Sequence, residues 1–130
     1  MAKYPVDIEM KREIAIKALK WCKKNLGVNR RKKYPKVSVK IKVIDDEFTV
    51  YGGYYWEDNR IFVNGLKCKS LTDVVSTVIH EYTHYLQSMR KYYEYFNTYY
   101  YSTHPFEREA TRNSKQFTKK CLTQIKKSVD

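Results

Sequence analysis

The sequence predicts an α+β domain: an N-terminal helix, a small three-stranded antiparallel sheet, a second helix and a C-terminal helix. Three observations predict it. Apolar residues recur at three- and four-residue spacing near the start of the chain and again in its second half. Between these stretches, residues Val37 to Val63 alternate with a two-residue period or form short runs broken by turn residues. No internal repeat or low-complexity linker divides the 130 residues. Residues 1–130 are therefore read as one domain, because two separate cores of this total length would each bury too little.

Ile8, Ile14, Ala15, Ala18, Leu19, Cys22 and Leu26 repeat at helical spacing, with Lys11, Arg12, Lys17, Lys20, Lys23 and Lys24 on the remaining positions. This is an amphipathic first helix stopped at Gly27. The stretch from Asn29 to Lys36 is polar, basic and aperiodic and contains Pro35, so it reads as an exposed connection. Its four adjacent cations, Arg30, Arg31, Lys32 and Lys33, have the composition of a nuclear-import or polyanion patch, but a solvated loop is the commoner meaning. Val37, Val39, Ile41 and Val43 alternate with Ser38, Lys40 and Lys42, giving a strand whose basic face meets solvent.

A second strand from Phe48 to Trp56 is bent at Gly52 and Gly53, and Glu57, Asp58 and Asn59 turn the chain into a third strand, Arg60 to Val63. The three are expected to pair antiparallel. Ser70 with Asp73 forms a capping-box pattern, after which Leu71, Val74, Val75, Val78, Ile79, Tyr82, Leu86 and Met89 recur at helical intervals. The tyrosine-dense segment from Tyr92 to Tyr101 either extends this helix or crosses as a loop. Pro105 suits the first turn of a last helix that runs to about Ile125, with Phe106, Ala110, Phe117, Cys121 and Ile125 on its buried face.

Hydrophobic residues at 42% place the chain outside the disordered class. Lys and Arg number 26 against 14 Asp and Glu, a net +12 that attracts polyanions or acidic proteins and also serves solubility. Cys22, Cys68 and Cys121 cannot all pair and lack metal-knuckle spacing, so they read as free thiols in a reducing compartment. The N-terminal stretch carries no apolar h-region, and no segment approaches the roughly 18 apolar residues of a membrane span. The expectation is an intracellular protein, cytoplasmic or nuclear, without a cleaved leader or a membrane partner.

The chemistry lies in His80-Glu81-Tyr82-Thr83-His84, an HExxH pattern on the second helix. Four residues on a helix place the two imidazoles about 40° apart in azimuth and about 6 Å apart along the axis, so both can reach one metal. Glu81 is turned by about 100° from His80, beside the metal position, where a carboxylate can take a proton from water. The pattern divides the labour: His80 and His84 hold Zn2+, one per chain, and Glu81 is the general base. A catalytic zinc takes a third protein ligand, and downstream of His84 only His104, Glu94, Glu107, Glu109 and Asp130 could supply it.

With these residues in view, the chain resembles the gluzincin branch of the zincin metallopeptidases, in which HExxH on one helix is completed by a glutamate on a later helix. HEYTHYLQ followed by HPFEREA is similar to that arrangement. The family's ExxA pattern implies Glu107, three residues before Ala110, as the ligand; Glu109, immediately before that alanine, is the alternative. Several such families have Asp or Asn after the alanine, where this chain has Thr111. Glu107 would also sit at the third position of its helix, where a carboxylate stabilises the N-terminus without any metal.

His104 is a rival third ligand, since the Spartan or SprT-like zincins use a third histidine and act on DNA-bound proteins. As a non-ligand, His104 or a tyrosine such as Tyr101 could stabilise an oxyanion. The resemblance further implies a zincin-like fold acting on a protein or peptide substrate, which lies along an edge strand at Arg60 to Val63; the chain is expected to be a monomer. Two other classes are weighed beside this peptidase: a basic zincin-scaffold protein bound to nucleic acid or chromatin with cleavage secondary, and a metal-free interaction module.

Overall fold

The computed structural model describes residues 7–41, 50–87, 91, 94 and 104–129. Six elements follow one another: α1 (Ile8–Leu26), β1 (Lys36–Lys40), β2 (Gly52–Tyr55), β3 (Arg60–Asn64), α2 (Leu71–Leu86) and α3 (Pro105–Val129). The fold is mixed α+β. No described helix is long and apolar enough to cross a membrane. The expected positions Val43, Phe48, Met89 and the tyrosines from Tyr99 to Tyr101 lie outside the described residues.

Helix α1 begins at Asp7, whose side chain accepts from the Glu9 amide at 2.9 Å, and stops at Gly27, where φ is +88°, a conformation that favours glycine. Its inner face, with Ala15, Ala18, Leu19 and Cys22, packs into the core. Lys11 departs from the expected polar face. It is buried, and its ammonium donates to the Gly65 carbonyl at 2.7 Å, which satisfies a charge that would otherwise oppose burial.

The sheet corrects the antiparallel expectation. Its order is β1-β3-β2, with β1 parallel to β3 (Val37 beside Ile61, Val39 beside Val63) and β2 antiparallel to β3 (Gly53 beside Phe62, Tyr54 beside Ile61). Only the β2–β3 hairpin is local, turning through Asn59 in a left-handed conformation at φ 50°. The physical reason for the order is in β3 itself: Ile61, Phe62 and Val63 are an unbroken apolar run, which suits a strand covered on both faces and flanked on both sides. Arg60 to Val63 is thus the central strand and cannot be the rim for an added strand. Among the described residues, β1 and β2 form the edges.

Helix α2 lies across the middle of the molecule, packed against α1, α3, β2 and β3. Ser70 caps it, accepting from the Asp73 amide at 3.1 Å; the Asp73 carboxylate reaches back to the Lys69 amide rather than to Ser70. Val74, Val75, Val78, Ile79, Tyr82 and Tyr85 are fully buried and join α2 to the α1, β1 and β3 side chains in one core. Gly52 lets β2 approach this helix closely. A Cβ there would run into the Phe62 carbonyl oxygen and lie 2.5 Å from the Thr77 methyl group.

The connection after α1 is not simply a solvated loop. Lys32 donates to the carbonyls of Tyr85 and Gln87 at 3.0 and 3.3 Å and stands over the Tyr54 and Tyr85 rings. A cation at the C-terminus of α2 offsets the partial negative charge of its last carbonyls. The three cysteines are free, the reading their spacing gives, and all are buried; burial pushes the Cys121 thiol up to about 12.

Candidate metal centre

The second half of α2 presents two imidazoles one turn apart because its opposite face is held in the core by Ile79, Tyr82 and Tyr85. The rings of His80 and His84 have centroids 5.1 Å apart. His80 keeps a quarter of its side chain exposed, whereas His84 is buried. Ligand-capable atoms of His80, Glu81 and His84 all lie within 4.8 Å of one another, so this group could hold a metal ion.

Helix α3 brings a second carboxylate to the same place. Its first turn is set by Pro105 and by His104, whose Nδ1 accepts from the Phe106 amide at 3.1 Å while its carbonyl accepts from the Arg108 amide at 3.0 Å. One turn further on, Ala110 is fully buried; a small side chain there allows α3 and α2 to approach. Asn113 fastens the pair by donating to Thr83 Oγ1 at 3.2 Å. Glu107 consequently faces both histidines: Oε1 is 2.9 Å from His84 Nε2 and Oε2 is 3.4 Å from His80 Nε2.

The alternatives are placed differently. Glu109 turns the other way and accepts from Gln87 Nε2 at 2.7 Å. His104 is fully buried as the cap of α3. His104 supplies the capping hydrogen bond of α3, while Glu107, still in the first turn, points its carboxylate at the imidazoles. Tyr101 lies outside the described residues.

Gln87, just past the end of α2, was not singled out from the sequence. Its Nε2 faces two acceptors, the Glu109 carboxylate and the Phe106 carbonyl at 2.7 and 3.1 Å, so its Oε1 must face His84 Nδ1, 2.7 Å away. An acceptor at Nδ1 places a proton there and leaves Nε2, which faces Glu107 and the shared space between the histidines, as the nitrogen that can ligate a metal or, in the metal-free chain, carry a second proton donated to Glu107. No short motif encodes this, because the partners come from 19 and 22 residues downstream. For a metal ion held by His80 and His84, Gln87→Ala is expected to weaken binding about 10- to 100-fold, as loss of an outer partner of a ligating histidine does; competition with a chromogenic chelator measures it.

Burial raises the Glu81 carboxyl above the usual carboxylate range; the neighbouring imidazoles pull it partly back and Glu107 adds to the rise. Burial alone would lower His84, but hydrogen bonding to Glu107 and the nearby carboxylates outweigh it and raise the imidazole. Burial would likewise raise Glu107, yet the two imidazoles hold it well below the ordinary value. The site thus contains one carboxylate made more basic and one held ionised.

Two nitrogen donors and an ionised carboxylate from two rigid helices match the donor set of a three-ligand zinc site, with the His84 tautomer already fixed. Two grooves meet at His80. One, about 410 Å³, is lined by Tyr51, Gly52, Thr77 and Glu81 among others; the other, about 640 Å³, runs along α3 from Glu107. Comparison of the chain with protein-family models, with curated proteins and with solved structures finds no match in any of the three, so what the site can do is argued from its own residues.

Proposed function

We propose that the protein is a zinc-dependent peptidase of gluzincin type, with His80, His84 and Glu107 as ligands and Glu81 as general base. One observation carries this reading: the two HExxH imidazoles and a carboxylate from a separate helix converge on one point, with the glutamate between the histidines in sequence buried beside them. Desolvation opposes burying an ionised carboxylate, and the two imidazoles that offset it here are the same groups that a metal would use.

Bound there, zinc would supply a Lewis acid that polarises the scissile carbonyl and makes water more acidic. The chain's own residues do the rest. Glu81 borders the smaller groove, and its raised pKa makes it a better proton acceptor than an exposed glutamate. It takes the proton from the attacking water and later delivers it to the leaving amine. Gln87 keeps the His84 ring fixed through these steps. An extended substrate is best seated against β2, an edge strand among the described residues, because the residues at its start line the groove that Glu81 faces.

Metal removal tests this directly. Dialysis against a chelator should abolish cleavage of an unstructured protein substrate, and one equivalent of zinc should restore it. Cleavage that persists without metal, or that magnesium restores equally, would contradict the reading.

A further inference from the structure

We propose that the larger groove is a subsite for acidic side chains, so that the peptide bonds cut are those flanked on one side by Asp- or Glu-rich sequence. This names the substrate class for the peptidase reading and rests on it. The groove opens at His80 and Glu107 and continues past Arg108, Arg112 and Lys115 on α3. Steps of four and three residues keep these three cations within about 60° of azimuth and spread them over about 10 Å of helix. At about 3.3 Å per residue, that length faces roughly three residues of an extended chain.

The three side chains are exposed, and none forms an ion pair with a described residue. Within α3 the only acids are Glu107 and Glu109, and both are turned inward, to the imidazoles and to Gln87. The outward wall therefore carries positive charge that nothing on the helix offsets. Thr111 and Gln116, on the same wall, add groups able to donate to carboxylates. On the other side of His80 the smaller groove mixes Lys67 with Asp73 and Glu81, so the preference for acids applies to one side of the scissile bond only.

Because the cations share a concave wall with two candidate ligands, a single extended chain entering the centre meets them. The enzyme's overall +12 charge attracts any polyanion, so the test must separate this wall from net charge.

The experiment uses zinc-loaded Glu81→Gln protein and fluorescence anisotropy with a short glutamate-rich peptide and its glutamine counterpart. The glutamate peptide should bind at least about tenfold tighter at low salt. Arg112→Glu/Lys115→Glu should erase that preference, and Lys20→Glu/Lys24→Glu, two exposed positions of α1 that line neither groove, should retain it. Equal loss in both double variants would overturn the subsite in favour of net charge. Displacement of the peptide by a duplex DNA of matched charge at physiological salt would overturn it in favour of nucleic acid. Zinc content measured on the same samples keeps the two readings apart: protein without zinc sinks the peptidase, whereas a lost peptide preference with zinc in place sinks only the subsite.

Discussion

Glu81→Gln is expected to lower peptide hydrolysis by about 10²- to 10⁴-fold with zinc content unchanged. The substitution keeps the shape of the side chain and removes its ability to accept a proton. Glu81 is buried and its carboxyl is raised chiefly by that burial, so the ionised form is a stronger base than an exposed glutamate would be. In the proposed site the imidazoles and Glu107 supply all three protein ligands, so the amide should leave the metal in place. Steady-state kinetics beside elemental analysis reads both quantities. Metal lost together with activity would put Glu81 among the ligands, a role that the 4.8 Å grouping with the histidines also permits by distance.

Glu107→Ala should have the second large effect, weakening zinc binding by at least about 100-fold and activity with it, because one of the three proposed protein ligands is removed. Glu109→Ala should cost far less, through the slackened Gln87 amide alone. His104→Ala should keep the metal and lower stability by about 1 kcal/mol, the usual worth of a helix cap. Chelator titration of the three variants distinguishes them, and a loss confined to His104→Ala would move the chain to the three-histidine class.

The metal-free chain gives an independent readout of the same contact. Glu107 is depressed, so its contribution is full above the ordinary 4.5 and fades as pH falls through its folded value; His84 is raised, so its contribution is full below the ordinary 6.5 and fades as pH rises through its folded value. The metal-free protein should therefore gain most from this pairing between pH 4.5 and 6.5, and Glu107→Ala should flatten that maximum in thermal melts.

The helices were legible because each depends on local signals. Apolar spacing marked α1 and α2, Ser70 marked a start and Gly27 a stop, and Pro105 fixed where α3 begins. Strand order was not, because alternation tells which face is wet and not which strand lies in the middle; the Ile61-Phe62-Val63 run held that information and was read as an edge. Lys11 and Lys32 looked like solvent-facing charges, since a periodic pattern cannot foresee a carbonyl brought from 54 or 53 residues away. At the site, HExxH carried its own geometry within one helix. Which glutamate faces it depended on how α3 packs on α2, and Gln87 depended on that packing entirely.

Zinc stoichiometry after saturation and desalting tests the central claim most directly. Wild type should retain one zinc per chain, and His80→Ala/His84→Ala should retain none; loss of the Glu107 pairing lowers its stability, but the apolar core is untouched and circular dichroism should find its helical content kept. A wild-type protein that holds no zinc, or a double variant that still holds one, would contradict the account.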